Sequence, residues 1–133
     1  MTRARKIEKS RYKIYLDKAD EFFCLMKYAQ GQNLWIGAGL NGIHCAISAC
    51  DALTAFYFGE RSLSSRHEDV VILLRRMDVE NIESKVNQVL SILSLKNLVE
   101  YEDREFREND ALKIIIQVER FYTWVKRFLP DQR

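Results

Sequence analysis

The chain has 133 residues, 47% of them apolar and 30% charged, which is one domain's worth with material for a core and argues against a disordered chain. A formal net charge of +2 decides nothing about nucleic acid, because phosphate binding needs a local basic surface. The best apolar stretch is interrupted by His44, Ser48 and Asp51, and no apolar run follows the basic start, so a cytoplasmic protein without membrane partner or secretion signal is expected.

Charge is unevenly placed. Residues 1–13 carry Arg3, Arg5, Lys6, Lys9, Arg11 and Lys13 against Glu8, whereas 100–110 carries six acids against Arg104 and Arg107. The basic start reads either as a solvated, flexible segment over 1–9 or as an arm that touches phosphates or an acidic partner. Cys24, Cys45 and Cys50 form no CxxC pair and sit among apolar residues of predicted helices, so they are expected to be reduced and buried. With two histidines and no close ligand spacing, neither a metal nor a cofactor is expected.

In chain order, Tyr12, Leu16, Ala19, Phe23 and Met26 recur at four, three, four and three, one face of a helix over Ser10 to Gln30. Gly31 is expected to cap it before Gln32 and Asn33 turn the chain. Asn33 to Glu60 is apolar around most of its circumference, which predicts a central helix surrounded by the others, ending at Gly59. Ser65 and Glu68 have capping-box spacing, placing His67 in the first turn of a short helix with Val70, Val71, Leu74 and Met77. Asp78 is expected to cap the next helix, with Ile82, Val86, Val89 and Leu93 inward. Lys96 to Asp110 is charged and irregular, anchored by Leu98, Tyr101 and Phe106. The last helix starts near Glu108 or Asn109, turns in Ile115, Val118, Tyr122, Val125 and Leu129, and stops at Pro130. No segment reads as a strand. The fold class is therefore an all-α antiparallel bundle of four to five helices in one domain spanning 1–133.

Two features of the central stretch carry further readings. Gly37, Gly39 and Gly42 permit close helix approach, a later helix start or a ligand loop; their Gly-x-Gly-x-x-Gly spacing lacks the preceding strand that a dinucleotide site requires. Asn41, His44, Ser48 and Asp51 form a polar line at three, four and three. Such a line is either a ladder of mutually satisfied groups or the lining of a cleft.

Three segments resemble one bacterial branch of the HEPN family of helical bundles. Ala46 to Leu53, AISACDAL, is similar to its small-residue central helix with an internal Asp-Ala. Gly59-Glu60-Arg61-Ser62 through His67 resembles its Gly-x-Arg-Ser connection leading to a histidine. Lys96 to Asp103, KNLVEYED, followed by Ala111 and the Arg120-Phe121 helix, resembles its closing Tyr-x-Asp segment and last helix. The resemblance, over about residues 10–130, implies an all-α homodimer from a toxin–antitoxin or defence system, with RNA or a nucleotidyltransferase-like antitoxin as partner. Some members are metal-independent endoribonucleases with an Arg followed closely by a His just before the final helix. Here that spacing occurs at Arg61 and His67, earlier in the chain, and Lys96 to Glu108 holds no histidine.

Metal-free RNA cleavage needs a base for the 2′-hydroxyl, an acid for the 5′-oxygen and a cation on the phosphorane. Arg61, His67 and Asp51 are the candidate catalytic residues, with Asp51 orienting one of the other two. The alternative is structural: Arg61 paired with Asp51 or a helix end, His67 in a solvated first turn, and the chain a non-catalytic interaction module. Trp35, Tyr57, Phe121, Tyr122 and Trp124 read as core or dimer interface, and the apolar load of Phe121, Tyr122, Trp124, Phe128 and Leu129 predicts a two-fold dimer through the last helix.

Overall fold

The computed structural model describes residues 4–63 and 67–130, with His67 and Glu68 by backbone alone. Among the described residues are two short strands, β1 (Ala4–Lys6) and β2 (Glu60–Ser62), a 3-10 turn over Lys9–Arg11 and six α-helices: α1 (Tyr12–Gly31), α2 (Trp35–Phe58), α3 (His67–Leu74), α4 (Ile82–Ser94), α5 (Lys96–Glu100) and α6 (Glu108–Arg127). This is the expected all-α bundle, with one small addition to each side of the prediction. The charged connection contains the short α5, and β1 pairs antiparallel with β2, Arg5 opposite Arg61 and Lys6 opposite Glu60.

That pairing revises the reading of 1–9 as a flexible arm. Residues 4–6 are tied down, and the Ile7 N–H donates to the Gly59 carbonyl at 2.8 Å. Gly59 makes the turn between α2 and β2 in the left-handed conformation (φ 63°), which a side chain adopts only with strain. At the other end of α2 the left-handed residue is Asn33 (φ 59°), while the expected cap Gly31 stays helical. The Leu34 N–H then donates to the Ala29 carbonyl at 2.8 Å and closes the hairpin.

α1 runs antiparallel to α2, Ala29 lying beside Gly37, Phe22 beside His44 and Tyr12 beside Phe56. α6 completes the central layer, its Tyr122 hydroxyl donating to Asp20 and its ring stacked 4.3 Å from Phe23. The glycines of α2 serve close approach within a helix that starts before them. A Cβ on Gly42 would lie 3.0 Å from both Ile114 and Met26, so α1, α2 and α6 meet there. Leu16, Ile43, Leu53, Ile92, Ile114, Ile115 and Phe121 are the largest wholly buried side chains of this core.

Three local expectations differ and one is not reached. The next helix begins at Ile82 after Asn81 (φ 67°), so Asp78 is not its cap. Tyr101 is 74% exposed, whereas Leu98 is buried and Phe106 packs on Gly39. Cys24 is exposed; only Cys45 and Cys50 are buried. The capping box of Ser65 and Glu68 lies outside the described residues.

The central helix is not covered all round. Ile36 is 55% exposed, His44 is exposed, and Leu40, Ile47 and Asp51 are half-buried, so a row at four, four, three and four opens to solvent. The aromatic load of α6 goes the other way: Phe121, Trp124 and Leu129 are buried inside the chain's own core. Tyr122 and Phe128 of the same helix end are half-buried. Among the described residues no helix is long and apolar enough to cross a membrane.

Candidate functional site

The open row of α2 ends at Asp51, and two other elements bring side chains towards it. Tyr15 and Lys18 come from α1, next to the buried Leu16 and Ala19 that seat this helix on α2. Arg61 comes from β2, whose position follows from the Gly59 turn and from pairing with β1. The same register sets Arg5 directly opposite Arg61, and residues opposite each other in an antiparallel pair share a face.

Arg61 is held at both ends of its guanidinium. Its Nε donates to the Ser62 carbonyl at 3.1 Å and its Nη1 to the Tyr15 hydroxyl at 3.2 Å. The guanidinium carbon lies 5.3 Å from the Tyr15 ring centroid, and the Lys18 ammonium 5.7 Å from the same ring. The Tyr15 hydrogen bond foremost, then the charge of Asp51, raises the Arg61 guanidinium above its ordinary pKa although burial opposes both. It is a fixed cation.

Asp51 behaves differently. Burial pushes its carboxyl up to about 7, against the pull of Arg61 and then Lys18. Desolvation outweighs attraction because no cation closes into an ion pair with it: among the described residues the nearest help is at a distance. A carboxyl that titrates near neutrality can take or give a proton at working pH.

The remaining members of the polar line do not form a ladder. The Asn41 amide donates to the Gly37 carbonyl at 2.8 Å, one turn back on its own helix. His44 stands in solvent with its ring 5.4 Å from Phe22, and Ser48 is buried. Among the described residues no hydrogen bond joins Asn41, His44, Ser48 and Asp51 to one another. His44 is seven residues from Asp51, roughly 10 Å along the axis, too far for direct proton exchange.

The structure therefore brings Asp51 and Arg61 within electrostatic reach of each other and joins neither to Asn41, His44 or Ser48. The backbone of His67 starts α3, six residues past Arg61; its side chain lies outside the described residues. Tyr15, Lys18 and Arg5 are additions that the sequence did not single out, since only the hairpin and the strand pairing make them neighbours. Among the described residues no group of three or more His, Cys, Asp or Glu side chains is arranged to hold a metal ion. Compared with family models, curated proteins and solved structures, the chain matches none.

Proposed function

We propose that this chain is a HEPN-like component of a toxin–antitoxin or defence system that acts on RNA as a metal-independent endoribonuclease. The observation that carries the reading is the meeting of Arg61, a cation locked by Tyr15, with Asp51, a half-buried carboxyl poised near neutrality. Arg5 and Lys18 add positive charge around them. A phosphodiester seated on Arg61 gains charge stabilisation that grows as the phosphorane forms.

In this reading one of Asp51 and His67 removes the 2′-hydroxyl proton, the 2′-oxygen attacks phosphorus, and the other delivers a proton to the departing 5′-oxygen. The products are a 2′,3′-cyclic phosphate and a 5′-hydroxyl, and no redox partner is needed. Asp51 thus takes a proton-transfer role in place of a purely orienting one, because its raised pKa suits it to that role. A homodimer and a nucleotidyltransferase-like antitoxin belong to the same proposal.

The test is cleavage of a labelled single-stranded RNA by purified protein in excess chelator. Cyclic-phosphate ends, lost with Arg61→Gln and His67→Ala and reduced with Asp51→Asn, are the expected result. Absence of cleavage, or cleavage indifferent to all three substitutions, refutes the enzyme reading.

A second reading is favoured by the open row Ile36, Leu40, His44 and Ile47. An apolar helix face of this kind suits a non-catalytic interaction module that docks a helix of a partner. An uncleaved RNA together with a stable complex lost on Ile36→Lys and Ile47→Lys would select it.

A further inference from the structure

Away from Asp51, the first turn of α4 meets the C-terminal half of α6 in a cleft of about 470 Å3. Asn81 and Lys85 line one side, Glu119, Arg120, Trp124 and Arg127 the other. Arg120 and Arg127 are seven residues apart on α6 and so project along one line of the helix. The one acid of the cleft is already engaged, Glu119 lying 3.5 Å from Lys27. Among the described residues no carboxylate lies within 4 Å of Lys85, Arg120 or Arg127. The Lys85 ammonium donates to Gln88 at 3.1 Å and sits 5.8 Å from the Trp124 ring.

Three cations gathered with one acid, itself engaged by Lys27, repel one another, and an anion from outside would relieve them. The Lys85 ammonium registers this: burial first, then the charges of Arg127 and Arg120, lower its pKa from the ordinary value. The spacing says what kind of anion. Arg120 and Arg127 leave α6 roughly 10 Å apart along its axis, a spacing on the scale of successive phosphates of a strand. Trp124 is 7% exposed and packs between Phe121 and Phe128, so it walls the cleft and offers no face for base stacking. Binding there is to backbone and tolerant of sequence.

We propose that Lys85, Arg120 and Arg127 form a phosphate-binding cleft that holds the backbone of a single-stranded nucleic acid. This site does not depend on cleavage at Arg61. Tyr57, six residues after Asp51 and on a different side of α2, donates to the Phe128 carbonyl at 2.6 Å, which places the C-terminal end of α6 around the helix from Asp51.

The probe is a short fluorescein-labelled single-stranded DNA of mixed sequence, which has no 2′-hydroxyl and is inert to the proposed cleavage, followed by fluorescence anisotropy. Affinity should fall with added salt, with a log–log slope of about −0.7 for each phosphate engaged. Arg120→Gln with Arg127→Gln should weaken binding at least about tenfold without moving the melting temperature, and Lys85→Gln should weaken it further. Arg104→Gln with Arg107→Gln removes the same charge from side chains already paired with Asp110 and Glu105; it should leave binding nearly intact. Equal loss in both pairs overturns the proposal, since net charge would then explain it, and so does a native protein that binds no strand. Displacement of the strand by inorganic phosphate alone would make the ligand a single phosphate, and displacement by a glutamate-rich peptide at equal charge would make it a protein; either result overturns the backbone assignment.

Discussion

Arg61 and Tyr15, 46 residues apart, are joined by a 3.2 Å hydrogen bond and by the guanidinium lying over the phenol ring. This contact locks β2 onto α1 and so sets where the cation of the candidate site stands. Tyr15→Phe keeps the ring and removes the hydroxyl. Because the guanidinium is mostly solvated, the cost in urea unfolding should stay near or below about 1 kcal/mol. Tyr15→Ala removes both contacts and should cost clearly more. Equal effects of the two would mean that the hydroxyl alone matters.

Asp51 makes stability depend on pH in a stated direction. Its carboxyl titrates near 3.8 when unfolded and at about 7 when folded, so between those values the native state holds the proton more tightly than the unfolded state. Stability contributed by this group is full below about pH 4, falls as pH rises to about 7, and is level above that. Asp51→Asn cannot ionise. The melting temperature of the variant minus that of the native protein should therefore rise between pH 5 and pH 8, and a difference that is flat or falls would contradict the buried-carboxyl assignment.

Phe106 occupies the space that a side chain on Gly39 would need, a Cβ there lying 2.7 Å from Cζ of the ring and 3.3 Å from Val99. Gly39→Ala gains up to about 1 kcal/mol of helix propensity but must push the ring aside. A net loss of about 1 kcal/mol is expected by chemical denaturation, and Phe106→Leu in the same chain should return part of it. Additive losses in the double variant would show that the two residues do not compete for space.

Phe121 is wholly buried at the junction of α6 with the core. Phe121→Ala should cost about 3–5 kcal/mol through lost burial and the cavity left behind. In scattering and calorimetry together this appears as a less stable chain at unchanged oligomeric state. A variant of native stability but altered association would return α6 to the role of an interface.

The cysteines differ in accessibility. Cys24 is exposed, whereas Cys45 and Cys50 are buried and burial pushes the Cys45 thiol up to about 12. A thiol reagent should modify one cysteine of the folded protein quickly and the other two only on unfolding, since the thiolate is the reactive form. Rapid reaction of all three would argue against this packing.

Of the expected rows, Tyr12, Leu16, Ala19 and Met26, and Val86, Val89 and Leu93, are buried, while Phe23 and Ile82 are half-buried; α2 stops at Gly59 and α6 ends before Pro130. Each of these is legible in the sequence because a helix is a local structure and its inward face repeats with its own period. The pairing of Ala4–Lys6 with Glu60–Ser62 was not, since three residues leave no alternation to read and the partner lies more than 50 positions away. Periodicity also put Asn41, His44, Ser48 and Asp51 on one line without saying which of them would be covered. Only the packing of α1 and β2 decided that Asp51 is desolvated beside Arg61 while His44 stands in water, and only the docking of α4 on α6 gathered Lys85 with Arg120 and Arg127. Burial and charge proximity belong to pairs of segments, so they exist only once the chain has closed on itself.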